Sequence, residues 1–310
     1  MGRWSAELQF GEYDPAPEGA TSPGYRWFTM TARMLADSAP WYGLDSAGLR
    51  ALELHEARAH EHPGRRVVDL GDAILLHDPA DPEPFLNRLS GLRLPDDPSA
   101  FDQRLGDLIR LFGTIGRRPH LWLGAGFNTP ADLPSRLRRE GFREVGATFV
   151  MVLRGGPRAG DAAQTSGTAQ VERVQLHSGV ERRRLLEQAA DVLIEAFDAT
   201  AADRTVLGRE LDPDDRSDLC VLLLDGVAVA AGRRYTADGL TYLSSIGTRA
   251  GGFGRGYGST VTRALVADAR GESDGLIHLA VDASNARARS LYERIGFVVV
   301  GDRATAHVLQ

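Results

Sequence analysis

A cluster of glycines at residues 251–258 restricts the possible folds of this chain more than any other feature of its sequence. Five of those eight positions are glycine, and a helical pattern begins near Ser259. Because glycine has no Cβ, such a backbone can adopt positive φ angles and approach a ligand closely. The amide groups at the start of the following helix favour anionic oxygens. The segment therefore predicts a phosphate-binding loop that leads into a helix.

A second segment, residues 285–297, narrows the kind of phosphate compound. Its apolar side chains recur at the spacing of one helical face, namely at Ala288, Leu291, Tyr292 and Ile295. Gly296 follows at the position of a left-handed helix cap. We expect a short amphipathic helix here, with the hydroxyl of Tyr292 directed to a cleft.

Both segments resemble those of the GNAT superfamily of acetyl-CoA-dependent N-acetyltransferases. The later motif of that family reads Asn-x-x-Ala-x-x-Leu-Tyr-x-x-x-Gly-Phe, and residues 285–297 match it in full. The phosphate loop of the family reads Val-x-Pro-x-x-Arg-Gly-x-Gly-x-Gly. This chain departs from it at Thr248, Ala250 and Phe253. Since the family's loop binds pyrophosphate mainly through backbone amides, we expect the loss of a side-chain donor at Phe253 to weaken CoA binding without abolishing it.

The resemblance implies which residues bind acetyl-CoA and assist the reaction. Tyr292 would protonate the leaving thiolate, and Asn285 would contact CoA or order the local backbone. The residues expected to bind the pantetheine arm, the thioester carbonyl and the pyrophosphate are Ile246, Gly247, Thr248, Gly254, Arg255, Gly256, Tyr257, Gly258 and Ser259. From the residues alone, two alternatives stay open: a core tyrosine at Tyr292 and a plain helix N-cap at Asn285.

No residue identifies itself as the general base. The groups left open are Asp282, Ser244, Ser245, Glu293 and Tyr235, each acting through a water molecule, and a water chain is the preferred reading.

Hydrophobic periodicity predicts the order of elements in the carboxyl-terminal half. The predicted helices are 181–197, 259–270 and 285–295, and the predicted strands are 171–174, 219–224, 227–235, 240–246, 276–281 and 297–300. This order agrees with the fold that the resemblance implies, an α/β (α+β) GNAT fold with a mixed central sheet flanked by helices.

The amino-terminal half repeats part of that order without a glycine loop. A Gly-Phe pair at residues 141–142 precedes an apolar run, and it lies 155 residues before the pair at residues 296–297. We therefore expect a duplicated fold: a degenerate GNAT-like domain at 1–155, a linker at 156–170 and a catalytic domain at 171–310. The segment 94–101 has no glycine, two prolines and two aspartates, so we expect one CoA site per chain.

Composition excludes several other classes of protein. The net charge of −6 argues against nucleic acid as a partner, and all 36 basic residues are arginine, which excludes lysine-based chemistry. The single cysteine, Cys220, lies in an apolar run and is expected to be a core thiol. No apolar run reaches about 18 residues and no secretory signal is evident, so we expect a cytoplasmic protein with no membrane partner.

Two polar clusters have a simple surface interpretation. His55, His60 and His62 do not share one helical face, so we expect a solvated helix end and no metal site. The acidic stretch at 212–218 is expected to be a solvated loop. The alternative that its carboxylates attract a cationic acceptor remains open.

The resulting functional prediction is an N-acetyltransferase that moves an acetyl group from acetyl-CoA to a small-molecule primary amine by direct attack in a ternary complex. It would work without a metal, as a monomer or homodimer. One alternative is a GNAT-fold module that binds a ligand without catalysis. A dinucleotide-binding oxidoreductase is less favoured, because Ser259 stands where the third glycine of its fingerprint would be.

Overall fold

A computed structural model describes residues 44–155, 169–200, 204–272 and 275–310. Within those residues, twelve strands form one mixed sheet with helices on both faces. The helices are α1 (Ser46–Ala59), α2 (Pro98–Thr114), α3 (Leu133–Arg139), α4 (Gly179–Ala196), α5 (Arg204–Leu211), α6 (Tyr257–Glu272) and α7 (Ala286–Ile295). The strands are β1 (Arg66–Asp69), β2 (Ile74–His77), β3 (Arg88–Ser90), β4 (His120–Leu123), β5 (Phe142–Leu153), β6 (Ala169–Arg173), β7 (Ser217–Leu224), β8 (Val227–Ala237), β9 (Leu240–Thr248), β10 (Leu276–Asp282), β11 (Phe297–Val299) and β12 (Ala304–Leu309).

The predicted α/β class with a mixed, helix-flanked sheet is confirmed. Strands β6 to β9 form an antiparallel meander, and β9 then pairs with β10 in parallel. An antiparallel run before the glycine loop differs from the parallel strands of a dinucleotide-binding fold. The sequence analysis missed α5 and β12, because neither has a strong periodic pattern.

The order of elements recurs in the two halves of the chain. In the first half a strand, helix, strand and helix, β3-α2-β4-α3, lead to β5; in the second half β9-α6-β10-α7 lead to β11. The first and second strands of each set pair in parallel. Each second helix ends at a glycine of positive φ, Gly141 at +88° and Gly296 at +114°, which begins the turn into the next strand.

The two halves exchange strands. The last part of β5 lies between β10 and β11, since Met151 pairs with both Leu279 and Val299. In return, β12 lies between β4 and the first part of β5. Each half of the sheet is therefore completed by a strand from the other half.

Helix α6 lies very close to the sheet. A Cβ built on Gly232 of β8 would lie 2.7 Å from Cγ1 of Val261 and 3.0 Å from Cδ1 of Leu265. Glycine at this position lets α6 approach, and Val261 and Leu265 are fully buried as a result. Burying each such side chain stabilises the fold by about 1.5–3 kcal/mol. This packing fixes the start of α6, and with it the end of the glycine loop.

The predicted linker falls almost entirely on residues 156–168, which lie outside the described residues. Its last two positions belong to β6, which begins at Ala169. Pairing with β7 along the edge of the sheet makes this segment a strand, although its composition is typical of a linker.

Candidate functional site

The glycine loop connects β9 to α6 through a short 3₁₀ turn at Ala250–Gly252. Gly254 and Gly256 have φ angles of +80° and +84°, a conformation that other residues adopt only with strain. Nothing lies within 4 Å of a Cβ built on Gly256, so this part of the backbone faces open space. The loop therefore presents bare backbone directly before a helix.

The amide groups of this loop are available to a ligand. Those of Phe253 and Arg255 donate to the carbonyl groups of Ala250 and Gly252, at 3.2 and 3.3 Å. Within the described part of the chain, no acceptor is found for the amides of Gly254, Gly256, Tyr257, Gly258 and Ser259. Successive free amides at a helix N-terminus bind phosphate oxygens well, and these amides belong to residues of the predicted pyrophosphate site.

Phe253, which departs from the family pattern, holds a cation beside the loop. The guanidinium of Arg287 lies 4.4 Å from the centre of its ring. One nitrogen of the same guanidinium, Nη2, lies 4.0 Å from the position of a Cβ on Gly254. The cation–π contact thus holds the positive charge of Arg287, which belongs to α7, beside the loop. In the family pattern, an arginine at the position of Phe253 would supply such a charge from the loop itself.

Tyr292 lies on the buried face of α7. Its ring packs edge-on against Phe297 at 6.0 Å, and the residue is 8% exposed. Burial raises the pKa of Tyr292 to about 12, so that the phenol keeps its proton at neutral pH. The hydroxyl can thus act as a proton donor, and it has no hydrogen-bond partner among the residues described.

Asn285 caps α7, because its side-chain oxygen accepts from the amide of Ala288 at 3.0 Å. The N-cap interpretation is therefore correct, and any contact with CoA stays a prediction. The helix lies directly against the loop, since Cδ1 of Leu291 lies 3.5 Å from the position of a Cβ on Gly258. The two motifs are thus brought together.

Strands β9 and β10 separate next to this loop. Their last parallel pair joins Leu243 to Leu279, and beyond it Ser244, Gly247 and Thr248 pair with β8 alone. At this point β8 and β9 shift register, and Ser245 takes a φ of +50°. The β10-facing edge of Ile246–Thr248, where the thioester site is predicted, is left unpaired. Gly247 is needed here for packing, since a Cβ would lie 2.7 Å from Cδ2 of Leu193 in α4.

A cavity of about 210 Å³ lies where the strands separate, between the sheet and α1. Successive residues of a strand point to opposite faces. Leu243 packs with α6 and α7, whereas Tyr242 lines the cavity on the other face. The lining residues are Leu49, Leu52, Glu53, Glu56, Phe85, Trp122, Gly124, Ala125, Phe127, Thr148, Val150, Tyr242, His278, Leu279, Ala280 and Ala304.

Leu279 of β10 links the cavity to the core around Tyr292. It lines the cavity and also belongs to the apolar cluster that contains Tyr292. On the wall of the cavity, the pKa of Tyr242 is raised well above its usual value by burial, then by the charge of Glu56.

The prediction of a solvated helix end at the histidine cluster is wrong. His55 is fully buried, with its Nδ1 2.9 Å from Nε2 of His278. His60 is buried between Glu210 of α5, at 2.8 Å, and Glu56, at 3.2 Å. Burial lowers the pKa of His278 to about 3. His55 and His60 are buried because they contact β10 and α5. Both elements are distant along the chain, so the local sequence does not reveal these contacts.

The acidic stretch before β7 pairs with the protein's own arginines. Asp212 bonds to Arg182 at 2.6 Å, and Asp218 pairs with Arg234. Asp214 accepts from the hydroxyl of Ser217 at 2.7 Å. None of these carboxylates lines the cavity, so they are not placed to attract an acceptor into it.

The prediction for the single cysteine has a clear outcome. Cys220 is buried, and burial raises the pKa of its thiol to about 12, as expected for a core cysteine. The described residues contain no cluster of three or more side chains able to hold a metal ion. No helix in the described ranges has the length and apolar character needed to cross a membrane.

The sequence analysis missed the cavity and its carboxylates. Leu49, Leu52 and Glu56 recur at the spacing of one helical face, and Glu53 lies beside them. The signal available in the sequence was the presence of acidic residues within an apolar stripe. A carboxyl group buried without a partner lowers stability, so its presence there points to a function.

Residues 183–297 match the model of the acetyltransferase (GNAT) family. No match was found among curated proteins. The fold is similar to that of a GCN5-related N-acetyltransferase from Kribbella flavida, with 20% identity, a TM-score of 0.62, and coverage of 86% of this chain and 95% of that one.

Two further solved structures share the fold. A GCN5-related N-acetyltransferase from Sphaerobacter thermophilus is 18% identical with a TM-score of 0.54, covering 90% of this chain and 89% of its own. A tandem GNAT protein from the clavulanic acid biosynthesis pathway is 13% identical with a TM-score of 0.55, covering 91% and 93%. At these low identities the solved structures show only that the fold is similar. The family model, in contrast, matches the amino-acid sequence itself. Residues 183–297 therefore match the GNAT family model, and the chain shares its fold with these solved structures.

Proposed function

We propose that this protein is an acetyl-CoA-dependent N-acetyltransferase that acetylates a small-molecule primary amine by direct attack in a ternary complex. The observation that carries the proposal is the set of unpartnered amides at Gly254 and Gly256–Ser259, next to a buried phenol on α7. A hydrogen bond to a charged group contributes about 1.5–3 kcal/mol. Several such bonds provide substantial affinity for a pyrophosphate.

The residues around the loop have separate roles in this proposal. The free amides bind the pyrophosphate, and the guanidinium of Arg287 adds positive charge beside it. The unpaired edge of Ile246–Thr248 binds the pantetheine arm and orients the thioester carbonyl, in the manner of other backbone donors that stabilise a developing negative charge. Tyr292 donates a proton to the departing sulfur. Acetyl-CoA supplies the acetyl group, and the thiolate of CoA leaves.

We further propose that the chain is a tandem protein with a degenerate first copy. The recurrence of β3-α2-β4-α3 as β9-α6-β10-α7 supports this organisation, with residues 1–155 forming the first domain and residues 171–310 the catalytic domain. The exchange of β5 and β12 means that neither domain completes its sheet alone. We expect a cytoplasmic monomer or homodimer.

A module that binds CoA without catalysis is the second candidate, and Phe253 favours it because the loop lacks its usual side-chain donor. The two functions differ in turnover. We expect acetyl-CoA to bind the full chain in titration calorimetry, and a panel of primary amines to include acceptors that release free CoA thiol. Binding without thiol release for any amine would instead support the non-catalytic module. The absence of acetyl-CoA binding would contradict both.

A further inference from the structure

The carboxyl group of Glu53 lies in the cavity without a partner. Both of its oxygens are buried and have no hydrogen-bond partner among the described residues. A Cβ at position 124 would overlap Oε2 of Glu53 and the ring of Phe127, so Gly124 makes room for the carboxyl group. A buried carboxyl without partners costs stability, which favours a functional reason for its presence.

The neighbouring carboxyl group, that of Glu56, is in the opposite situation. It pairs with Arg88 at 2.5 Å and with His60 at 3.2 Å. Burial works against its ionisation, but the charge of Arg88 and the bond to His60 prevail and lower the pKa of Glu56 to about 2. Glu56 is thus a fixed anion that is already paired.

Glu53 can exchange a proton near neutral pH. Burial, followed by the charge of Glu56, raises the pKa of Glu53 to about 8. The charges of Arg88 and Arg50 and the nearby amide of Gly91 act in the opposite direction with smaller effect. Two adjacent carboxyls whose environments separate their pKa values commonly divide acid–base roles.

We propose that this cavity is the acceptor site and that Glu53, from the amino-terminal half, removes the proton from the acceptor amine. The proposal rests on the function proposed above and deepens it. The cavity opens at the end of the β9–β10 pairing, where Tyr242 and His278–Ala280 form its wall. Leu279 in that wall also packs in the apolar cluster that contains Tyr292. The base and the proton donor thus come from different halves of the chain.

The proton balance of the step is complete. The acceptor enters as an ammonium ion and gives one proton to the carboxylate of Glu53. Its lone pair forms the N–C bond to the thioester carbonyl as the C–S bond breaks, and the sulfur takes the proton of Tyr292. The nitrogen then loses a second proton, which restores Tyr292 through solvent, while Glu53 releases its own proton to solvent.

The lining of the cavity defines the class of acceptor. Most of its wall is apolar, with leucines, aromatic rings and small side chains. The carboxyl groups in that wall are those of Glu53 and Glu56, and no arginine among the described residues lines it. Once Glu53 is ionised, the wall attracts an ammonium and repels a carboxylate. The fitting acceptor is a compact primary amine with an apolar body and no carboxylate. A suitable probe is 2-phenylethylamine, with L-phenylalanine as the matched probe that adds a carboxylate.

The first test compares Glu53→Gln with wild type, using acetyl-CoA and 2-phenylethylamine. General-base catalysis contributes typically about 10²–10⁴-fold, so kcat/KM should fall at least 10²-fold while the affinity for acetyl-CoA stays unchanged. Glu83→Gln is the matched control, because Glu83 is an exposed glutamate of the same half. An unchanged kcat/KM in Glu53→Gln, or better turnover of L-phenylalanine than of 2-phenylethylamine, would overturn the assignment.

The pH profile separates a base from a merely structural residue. The titratable or charged groups facing Glu53 are Glu56 and Arg50 of α1, Arg88 of β3, Tyr242 of β9 and His278 of β10. The pKa of Glu56 is about 2 and that of His278 is about 3. The pKa of Tyr242 is raised well above its usual value. None of these three groups therefore titrates near pH 8. The rise of wild-type kcat/KM towards about pH 8 should therefore disappear in Glu53→Gln. A rise that persists unchanged would contradict the proposal.

Ala280→Leu provides a second variant that leaves the carboxyl intact. The larger side chain fills the cavity, so KM for 2-phenylethylamine should rise while acetyl-CoA still binds. An unaltered KM would place the acceptor elsewhere. If wild type acetylates other amines of the panel but not 2-phenylethylamine, the acceptor assignment fails alone. If wild type binds acetyl-CoA but acetylates no amine, the proposed catalytic function fails and this inference fails with it. If wild type does not bind acetyl-CoA, the proposed function and this inference both fail.

Discussion

Helices α2 and α6 begin at corresponding places in the two halves, and their first turns differ completely. At the start of α2, the side chain of Asp97 accepts from the amide of Ala100 at 2.9 Å, and Pro98 has no amide to offer. At the start of α6, the amides of Gly256–Ser259 have no acceptor in the described structure. The first amides of a helix are met by side chains, by water or by a ligand. In the first half a side chain of the protein meets one of them, whereas in the described part of the second half they stay open.

The second helices of the two halves show the same contrast. Tyr292 lies four residues before Gly296, and Leu137 lies four residues before Gly141. Both side chains are buried, but only Tyr292 has a proton to donate. The first half thus lacks both the open amides and the phenol. What it supplies is α1, the wall of the cavity, and Glu53.

Tyr292→Phe should have the largest effect among the variants that test this comparison. Phenylalanine keeps the ring and its packing but removes the hydroxyl, so position 292, like Leu137, then has no proton to donate. We expect kcat to fall by about 10²–10⁴-fold with unchanged acetyl-CoA affinity. Steady-state kinetics with the best amine would measure the loss. Normal turnover would show that the two helices differ in packing alone.

Gly256→Val would close the open helix start. A β-branched residue is strained at a φ of +84°, and its side chain would enter the space in front of the free amides. Losing two charge-assisted bonds would cost about 3 kcal/mol or more, which corresponds to at least a 10²-fold loss of acetyl-CoA affinity by calorimetry. Gly251→Val is the matched control, since its Cβ meets nothing within 4 Å and its φ is ordinary. Equal affinities in the two variants would place CoA elsewhere.

Glu53→Gln should change how stability depends on pH. The folded-state pKa of Glu53 is about 8, against an ordinary value of 4.5, so the folded state binds this proton more tightly than the unfolded state. Its favourable contribution is complete below the ordinary value and is lost as pH rises to about 8. The stability of the variant relative to wild type should therefore increase over that interval, by up to a few kcal/mol. Urea unfolding at about pH 4.5 and about pH 8 measures the difference in free energy of unfolding between the variant and wild type. The same difference at both pH values would mean that folding does not raise the pKa of Glu53.

Asp97→Ala should have the smallest effect and should not create a second CoA site. Loss of an N-cap costs about 0.5–2 kcal/mol. Asp96→Ala, at an exposed position without a cap bond, should stay within about 0.5 kcal/mol of wild type. Calorimetry should still give one CoA per chain, since α2 keeps Pro98 and gains no glycine. Two CoA sites in Asp97→Ala would mean that the Asp97 cap alone prevents CoA from binding at the start of α2.

Local sequence patterns were sufficient for most elements of the second half. Helix α6 was predicted from Ser259 to about Arg270 and runs from Tyr257 to Glu272; β10 was predicted within one residue. Apolar spacing, glycines and caps act over a few residues, so these elements can be read directly from the chain. Strand β12 could not be, because its identity depends on pairing with β4 and β5.

The sequence by itself determined the open glycine loop, the capped helix α7 and the Gly-Phe turns, since each depends on backbone freedom or spacing within one segment. Only the tertiary structure decided that β5 and β12 change places, that His55 meets His278 across 223 residues of chain, and that Glu53 lines a cavity together with residues of β10. Such contacts join segments that are distant along the chain. They leave no periodic trace, because burial and electrostatic environment arise only when the sheet is assembled.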